Sequence, residues 1–393
     1  MTIDLHIDAI AVGGEGVARD PSGRVVFVEG ALPGEQVRVQ IRSEHKSFAR
    51  GSVDEVLEAA ADRVEPVCPH IGHGCGGCGF AHVSLPAQRR LKVDMVTEAL
   101  ERIGRLDAPL VDPGPQLPAS GFRTTVRAAV TEGRAGYRAA HGHDRIAVDT
   151  CRVAHPLVEE MLLAGRFGRA DEVTLRAGAA TGERLALVAP KVGEVELPDD
   201  VLVVGADQLA AGKRAWIHEV IHDVRLRVSA ESFFQSRPDG AAALVDVVAA
   251  ALEGADPLAP LVDLYCGVGL FAATVGRGRP VVAVERSRSS VADAKVNLAD
   301  ADARVVRSAV ERWRPSQAGV VVADPPRNGL ARDGVAKVGA TGAQRLALVS
   351  CDAGSLGRDA RLLTEAGWRH EGSTLVDLFT DSPHVEVVTR FSR

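Results

Sequence analysis

The spacing of apolar and polar residues changes character along the chain, and each change predicts a different kind of structure. Residues 1–58 contain short segments in which apolar and polar residues alternate, such as GRVVFVEG and EQVRVQIRS, separated by glycine and proline turns. Alternation with a period of two is typical of strands that bury one face. We therefore expect a small, OB-like β-barrel over residues 1–58.

Residues 59–228 form a second region with mixed patterns. This region begins with DRVEPVCPHIGHGCGGCGF, whose glycine, cysteine and histidine content predicts an irregular loop. The segment LPAQRRLKVDMVTEALERIG then has the spacing of a helix that ends at Gly104. Short strands mixed with one or two helices follow, so we expect a central α/β domain.

In the last region, residues 229–393, short apolar runs alternate with helical segments. The runs are PLVDLYCG, PVVAVE, GVVVADPP and LALVSCD. Fully apolar strands separated by helices are typical of a mostly parallel sheet that is covered on both faces. The sequence thus predicts a multidomain protein whose last domain has a Rossmann-like α/β fold, with its ligand at the carboxyl ends of the strands.

Composition places the chain among folded globular proteins. Of its 393 residues, 46% are hydrophobic and 25% are charged, and no apolar run is long enough to cross a membrane. The first residues, MTIDLHIDAIAVGG, lack the basic and apolar parts of a secretion signal. We therefore expect a cytoplasmic monomer without a membrane partner. Six cysteines in such a chain favour metal binding or catalysis over disulfide bonds.

The formal net charge of −6 disfavours a protein that coats nucleic acid non-specifically. Basic residues nevertheless outnumber acidic ones between residues 122 and 152, and this segment is either a local RNA-binding surface or a solvated face. Its arginines are Arg123, Arg127, Arg134, Arg138, Arg145 and Arg152.

The segment DLYCGVGLFA has the character of a nucleotide-binding turn. Asp263 stands at a strand end, and Gly267 and Gly269 permit a tight turn beneath a ligand. Glu285 ends the next apolar run, at the distance where an acidic residue binds ribose hydroxyls. Because Ala272 completes the pattern G-x-G-x-x-A, a dinucleotide is an alternative ligand.

Two further strand ends carry reactive groups. In VVVADPPRNGL, Asp324 precedes two prolines, which predicts a rigid loop with the carboxylate directed toward the pocket. In LALVSCDAGSLGRD, Cys351 follows an apolar run directly, which is the place for a nucleophile, although cysteine is also common in cores. Cys266, inside the glycine turn, is predicted to be a packing residue.

The order of FFQ, DLYCGVG, VVAVE, ADPPR, SCDAGSLGRD and HVEVV resembles the RNA uracil-5-methyltransferase family over nearly the whole chain, and residues 1–58 resemble its TRAM domain. The resemblance implies an RNA-binding TRAM domain and methyl transfer from S-adenosylmethionine to carbon 5 of a uridine in structured RNA, with 23S ribosomal RNA favoured over transfer RNA. It implies that Cys351 is the nucleophile and Glu386 the base. The implied cofactor-binding residues are Gln235, Tyr265, Gly267, Gly269, Glu285 and Asp324. Some members have asparagine at the position of Leu270, and many have asparagine at that of Asp352.

This chemistry needs both a thiol and a carboxylate. A thiolate that adds to carbon 6 of uracil makes carbon 5 nucleophilic enough to accept the methyl group. A base must then remove the proton from carbon 5 before the thiol leaves. The uridine has to be flipped out or taken from a loop. Phe233 or Phe234 either stacks on this base or belongs to the core.

Three cysteines in a glycine-rich loop, spaced C-x6-C-x2-C, and a fourth far downstream form a second candidate site. They are Cys68, Cys75, Cys78 and Cys151. Four thiols suit zinc or an iron–sulfur cluster, and His70 and His73 are further candidates in a zinc site. The equivalent cysteines of the family hold a four-iron four-sulfur cluster. We expect a structural cluster of this kind, with zinc as the alternative.

Two functions from other classes remain possible on these patterns. One is a catalytically inactive RNA-binding protein or chaperone that uses the barrel and the arginine-rich segment. The other is an iron–sulfur redox sensor with a nucleotide-binding domain. The presence of Cys351, Glu386 and Asp324 together favours the enzyme.

Overall fold

The computed structural model describes residues 2–140, 142 and 144–393. Within these residues the chain forms three larger sheets, joined by a two-stranded hairpin and flanked by helices. None of the helices in this part of the chain combines the length and the apolar character needed to cross a membrane.

The N-terminal region is a six-stranded sheet in the order β1-β5-β6-β4-β3-β2. Its strands β1 to β6 are Thr2–His6, Ala9–Ile10, Gly16–Arg19, Val25–Glu29, Gln36–Glu44 and Phe48–Glu58. The alternation seen in the sequence buries one face, on which Val26, Val28, Val37 and Val39 are fully buried. No strand pairing in the described part joins β1 to β2, so the predicted barrel is a half-barrel. β2 has only two residues, which is too few to close the sheet.

The cysteine-rich segment is mostly irregular, as predicted, and is followed by a long helix. The elements here are α1 (Pro69–Gly72), α2 (Leu85–Arg102) and the short strand β7 (Val111–Asp112). One side of α2 packs with Phe80 and Val83 of the cysteine-rich segment. The helix also carries two buried polar side chains, Gln88 and Lys92.

The central region contains a second six-stranded sheet, in the order β10-β9-β8-β11-β12-β13. Its elements are β8 (Thr125–Thr131), β9 (Arg134–Arg138), β10 (Arg145–Ile146), α3 (Pro156–Ala164), β11 (Glu172–Ala177), β12 (Arg184–Ala189), β13 (Val201–Gly205) and α4 (Ala206–Ala210). Met161 and Leu162 of α3 pack on this sheet against Val173 and Leu175 of β11. The hairpin of β14 (Trp216–Ile221) and β15 (Val224–Ser229) leads into the last region.

The C-terminal region is built on an eight-stranded sheet in the order β18-β17-β16-β19-β20-β22-β21-β7. Its elements are α5 (Pro238–Ala251), β16 (Leu261–Leu264), α6 (Leu270–Ala273), β17 (Val281–Glu285), α7 (Arg288–Asn297), β18 (Ala303–Arg307), a 3-10 turn (Val310–Arg312), β19 (Val320–Ala323), α8 (Ala331–Ala340), β20 (Arg345–Ser350), α9 (Ala353–Glu365), β21 (Arg369–Leu375) and β22 (Val387–Ser392). Strands β16 to β20 are parallel, and β22 runs antiparallel between β20 and β21. This is the predicted α/β architecture.

Helices cover both faces of the C-terminal sheet. Helices α5, α6 and α7 pack on one face, and α2, α8 and α9 pack on the other. Helix α2 and strand β7 therefore belong to this sheet in space, although they lie within the predicted central domain, 59–228. Helical periodicity shows which side of α2 is apolar but not which sheet that side will meet, because the partner is distant in sequence.

Candidate active site

Four neighbouring strands bring the predicted site residues to one edge of the C-terminal sheet. Tyr265 follows β16, Glu285 ends β17, Asp324 follows β19 and Cys351 follows β20. These strands are parallel and adjacent in the order β17-β16-β19-β20. Ligands of open α/β sheets bind at the carboxyl ends of such strands. The four residues therefore lie along one edge of the sheet, where a ligand is expected.

The glycine turn after β16 has the geometry of a ligand cradle. Gly267 and Gly269 have φ of +55° and +93°, a region in which other residues are strained. The N–H of Gly267 donates to Glu285 Oε2 at 3.1 Å, and that of Ser287 donates to Glu285 Oε1 at 2.6 Å. Apart from Gly267 itself and its two chain neighbours, no described residue has an atom within 4 Å of where a Gly267 Cβ would stand. A ligand can therefore approach this backbone closely while Glu285 is held beside it.

Asp263 supports the same turn from below. Its side chain is fully buried, and Oδ2 accepts the N–H of Ala272 at 2.9 Å. Burial raises the pKa of this carboxyl well above its usual value. The carboxyl ties the strand to the start of α6 and so fixes the turn between them.

The strand β22 brings Glu386 to Cys351. Because Ser350 pairs with Val387 in antiparallel register, Cys351 and Glu386 are the next residues beyond the paired ends. Glu386 is only 3% exposed, whereas Cys351 is half-buried. The predicted nucleophile and the predicted base therefore stand side by side.

The acidic groups around Cys351 affect one another strongly. Burial, Glu386 and Asp324 together raise the pKa of Cys351 to about 11, and Arg327 opposes this increase. Burial also raises the pKa of both carboxyls, and the charge of Asp324 adds to the increase at Glu386. Two such neighbouring carboxyls disfavour double ionisation, which favours the protonated form of one of them.

A buried carboxylate joins α9, the helix that follows Cys351, to the loop after Asp324. Asp359, in α9, accepts the N–H groups of Leu330 and Ala331 at 2.6 and 3.1 Å. Gly329 has φ of +67°, and a Cβ there would lie 2.1 Å from Asp359 Oδ2. The sequence prediction missed this tie, although the final Arg-Asp of SCDAGSLGRD and the glycine of PPRNG were visible signals.

The remaining predicted contacts differ in position. Gln235 lies in the loop before α5, and none of the hydrogen bonds among the described residues joins it to the other predicted cofactor residues. Phe233 is 68% exposed, whereas Phe234 packs against the core. Leu270 and Cys266 are buried in the same core, as expected for Cys266. At the family's asparagine position, Asp352 caps α9 by accepting the N–H of Ser355 at 2.7 Å.

The four cysteines of the second candidate site line one cavity, which Tyr137 and His70 also line. The cysteines are Cys68, Cys75, Cys78 and Cys151. Burial, together with Asp381 and the other three cysteines, raises the pKa of Cys78 to about 12. The thiols are therefore close enough to affect one another, and all of the chain's cysteines are free.

The four cysteines are suitable ligands for a metal or an iron–sulfur cluster, but their side chains are not arranged as a metal site. In the described residues, no group of three or more His, Cys, Asp or Glu side chains is arranged to hold a metal ion. His70 Nε2 bonds to Asp149 at 2.8 Å, so this nitrogen is already engaged, and the hydroxyl of Tyr137 lies 3.1 Å from Cys151 Sγ. The structure thus brings the four cysteines together without completing a coordination site.

The basic segment lies on the central sheet. Arg127 and Arg138 are exposed, and both approach Glu172, at 2.5 and 3.8 Å. Arg123 and Arg152 line the cysteine cavity. Residues 1–58, in contrast, contain ten acidic and six basic side chains. The local excess of positive charge therefore belongs to the central region and not to the half-barrel.

Comparisons with known proteins agree with this architecture. The TRAM domain family matches residues 2–53. An uncharacterized RNA methyltransferase of Streptomyces coelicolor is 35% identical, over 98% of this chain and 91% of the relative. The 23S rRNA (uracil(1939)-C(5))-methyltransferase of Acidithiobacillus ferrooxidans is 30% identical, over 99% of this chain and 97% of the relative.

A solved structure shows the same fold. The tRNA (uracil-54, C5)-methyltransferase of Pyrococcus abyssi, in complex with S-adenosyl-L-homocysteine, superposes with a TM-score of 0.78 at 21% identity. The match covers 99% of this chain and 100% of the other. Fold, strand-end site and relatives together define an RNA methyltransferase with an N-terminal TRAM domain. The chain belongs to the RNA uracil-5-methyltransferase family, and the predicted family and enzyme class are confirmed.

Proposed function

We propose that this enzyme methylates carbon 5 of a uridine in 23S ribosomal RNA through a covalent bond between Cys351 and carbon 6. The observation that carries the proposal is the register of β20 and β22, which puts Cys351 and Glu386 side by side. Asp324 completes the group from the end of β19. A thiol, a buried carboxyl and a second carboxyl are the groups that this chemistry needs.

The first step is addition of the Cys351 thiolate to carbon 6 of the uracil. The sulfur forms a bond to carbon 6, and the electrons of the carbon 5–carbon 6 double bond move toward the oxygen at carbon 4, which leaves carbon 5 nucleophilic. Bound S-adenosylmethionine supplies the electrophilic methyl group that carbon 5 accepts. Arg327 lowers the pKa of the thiol and so favours the reactive form.

The cofactor would be held by the turn between β16 and α6. Gly267 and Gly269 leave the backbone open, and Glu285, fixed by two backbone N–H groups, has lone pairs left for ribose hydroxyls. Tyr265, Asp324 and Gln235 are the other proposed contacts. Leu270, buried in the core, offers only an apolar surface where some relatives have an amide.

Glu386 is proposed to remove the proton from carbon 5 after methylation. The electrons of that C–H bond restore the double bond, and the bond between Cys351 and carbon 6 breaks. Burial raises the pKa of Glu386, which makes its carboxylate a stronger base than a solvated one. A cationic ligand beside Asp324 and Glu386 would favour their ionised forms, so the base becomes available when the site is filled.

RNA binding is proposed to rest mainly on the central region. The arginines of the segment 122–152 provide phosphate contacts. The half-barrel has a net negative charge and therefore contributes less to the attraction of RNA than its membership of the TRAM family suggests. Phe233, which is exposed, is the candidate for stacking on the extruded base, whereas Phe234 is partly buried against the core. Ribosomal RNA is chosen as substrate because the relative from A. ferrooxidans is named for it.

The four cysteines are proposed to hold a four-iron four-sulfur cluster with a structural role. Their convergence on one cavity supports this proposal. Such a group would join the segment 68–78 to Cys151, two parts of the central region that are distant in sequence. When bound it supplies a crosslink, and no step of methyl transfer depends on it.

The experiment is methyl transfer from labelled S-adenosylmethionine to three RNAs: 23S ribosomal RNA from a strain that lacks the enzyme, unmodified transfer RNA, and a transcript of unrelated sequence. We expect label only in the ribosomal RNA, as 5-methyluridine, and none with Cys351→Ala. Label only in transfer RNA would overturn the choice of substrate. Labelled bases other than 5-methyluridine would overturn the reaction.

A further inference from the structure

The loop between β21 and β22, residues 377–385, leads directly into Glu386. Its two ends meet where the N–H of Val376 donates to the carbonyl of Glu386 at 2.8 Å. This hydrogen bond fixes the backbone of Glu386 at the point where the loop ends. Contacts that hold the loop therefore also hold the backbone from which the proposed base projects.

A buried ion pair holds the start of the loop. Lys92, in α2, is fully buried, and its Nζ lies 2.6 Å from Asp377 Oδ1 and 2.9 Å from the carbonyl of Phe379. Burial of an ammonium group is costly, and a buried pair contributes little net stability compared with apolar residues. A pair of this kind therefore points to a requirement for one defined geometry.

A second contact from the same side of α2 holds the middle of the loop. Gln88, one helical turn before Lys92, donates from Nε2 to Asp381 Oδ1 and accepts the N–H of Asp381 at Oε1, both at 2.9 Å. Asp381 has φ of +62°, and its carbonyl also accepts the N–H of Phe80 at 2.8 Å. The surroundings thus hold Asp381 in a strained conformation.

Helix α2 also supports the element that carries the proposed nucleophile. It packs on α9, which begins two residues after Cys351. A Cβ on Gly357 would lie 2.4 Å from the carbonyl oxygen of Ala99, so no larger residue fits between the helices at this point. One helix therefore contacts both the Glu386 loop and the helix behind Cys351.

We propose that Lys92 and Gln88 are positioning residues that hold the Glu386 carboxyl against the carbon 5 proton of the methylated adduct. The inference rests on the proposed function, since it assigns Glu386 the final proton transfer. It separates the two chemical stages: methyl transfer depends on Cys351 and the cofactor, whereas release of the product depends on the loop that α2 holds.

The test compares Lys92→Met with the double variant Lys92→Met/Asp377→Leu. The double variant removes both buried charges, so it avoids the cost of an unpaired Asp377. Arg63→Met is the matched control, because it removes the cation from another ion pair with a buried carboxylate, Glu35. Thermal melting identifies the variants that fold.

Rapid quenching of a single turnover separates methyl transfer from product release. In both Lys92 variants we expect methyl transfer within about twofold of wild type, release slowed about tenfold, and accumulation of an adduct that survives a denaturing gel. Uridine deuterated at carbon 5 should then slow turnover. Arg63→Met should leave the ratio of the two rates unchanged. Equal loss of both rates, or release at the wild-type rate in a folded Lys92 variant, overturns the positioning role.

A measurement without RNA keeps the inference separate from the proposed function. The charged groups that act on Cys351 are Glu386, Asp324 and Arg327, and displacement of Glu386 should increase the thiolate fraction. Alkylation of Cys351 by iodoacetamide at about pH 8, followed by mass spectrometry of its peptide, should become several-fold faster in Lys92→Met, as in Glu386→Gln. A rate equal to wild type overturns the inference. Failure of wild-type enzyme to methylate RNA overturns the proposed function instead, and the alkylation result still stands.

Discussion

Cys351 and Glu386 face each other across the ends of two antiparallel strands, one residue beyond the pair formed by Ser350 and Val387. The arrangement brings an acidic side chain to a thiol that would otherwise have a lower pKa. A carboxylate that suppresses the thiolate is a disadvantage for a simple nucleophile. It becomes useful when the same site must later accept a proton beside the sulfur, as in the proposed reaction.

Substitution of Cys351 by alanine should abolish methyl transfer and leave S-adenosylmethionine affinity within about twofold of wild type. The thiol acts on the RNA, whereas the turn at Gly267 and Glu285 is unaffected by the change. Calorimetric titration with the cofactor and a methyl-transfer assay test both parts. Retention of full activity in the purified variant contradicts a covalent mechanism through this residue.

Substitution of Glu386 by glutamine should trap a protein–RNA adduct through Cys351. Addition and methylation need no base at this position, but loss of the carbon 5 proton does, so the thioether persists and runs as a slow band on a denaturing gel. Glutamine keeps the size of the side chain. The double variant Cys351→Ala/Glu386→Gln is the control and should give no band. An inactive variant that binds RNA without forming an adduct would show that Glu386 is not the base, and Asp381 and His384 would then be tested in the same way.

The same substitution should change how stability depends on pH. Because the folded pKa of Glu386 is raised, the folded state holds this proton more tightly, and the resulting stabilisation is lost as pH rises through the folded pKa. Glutamine cannot ionise. Glu386→Gln should therefore melt at a higher temperature than wild type in neutral and alkaline buffer. The difference should disappear below about pH 4.3, the ordinary glutamate value. Equal melting temperatures from acidic to alkaline pH would contradict a buried, proton-retaining Glu386.

The loop after Asp324 should depend on one glycine. Gly329→Ala combines a positive φ with a contact of 2.1 Å to Asp359, so we expect a loss of about 1–3 kcal/mol in the free energy of unfolding. Gly339→Ala is the matched control, because this glycine lies in α8 and, apart from the backbone of its own helix and its chain neighbours, no described atom lies within 4 Å of the added Cβ. It should be neutral or stabilise by about 1 kcal/mol. Urea unfolding of both variants provides the comparison, and similar effects at the two positions would refute the contact.

Protein purified without oxygen should contain iron and sulfide, and Cys78→Ser should lose both together with part of its thermal stability. A cluster bound by Cys78 and Cys151 would connect two segments that are distant in the chain, so loss of a ligand loosens the central region. Cys266→Ala, which alters a cysteine buried in another core, should keep the iron. Elemental analysis that finds stoichiometric zinc and no iron overturns this prediction.

The sequence was sufficient where structure follows local pattern. The apolar runs before Asp324 and Cys351 became fully buried strands, β19 and most of β20, because burial on both faces of a parallel sheet leaves no polar side. The glycine turn after β16 was also predictable, since positive φ at Gly267 and Gly269 demands glycine. Motif order then identified the family.

Other features needed the tertiary structure because they depend on contacts between distant residues. The half-barrel is one of these features. A barrel closes only if the two edge strands of the sheet pair with each other, and the alternation of apolar and polar residues within each strand does not show whether they do. The buried polar face of α2 is another. Lys92 and Gln88 are polar residues on the buried side of the helix, and only their partners Asp377 and Asp381, nearly three hundred residues later, explain their burial.

By itself the sequence determined the strands, the glycine turn and the reactive residues at strand ends, because alternation, apolar runs and glycine conformation are properties of neighbouring residues. Only the tertiary structure decided that β22 inserts antiparallel between β20 and β21. Several strand orders are compatible with the same local sequence patterns, and packing over the whole sheet determines which of them forms. It places Glu386 beside Cys351, so the proposed pair of nucleophile and base is a product of the fold.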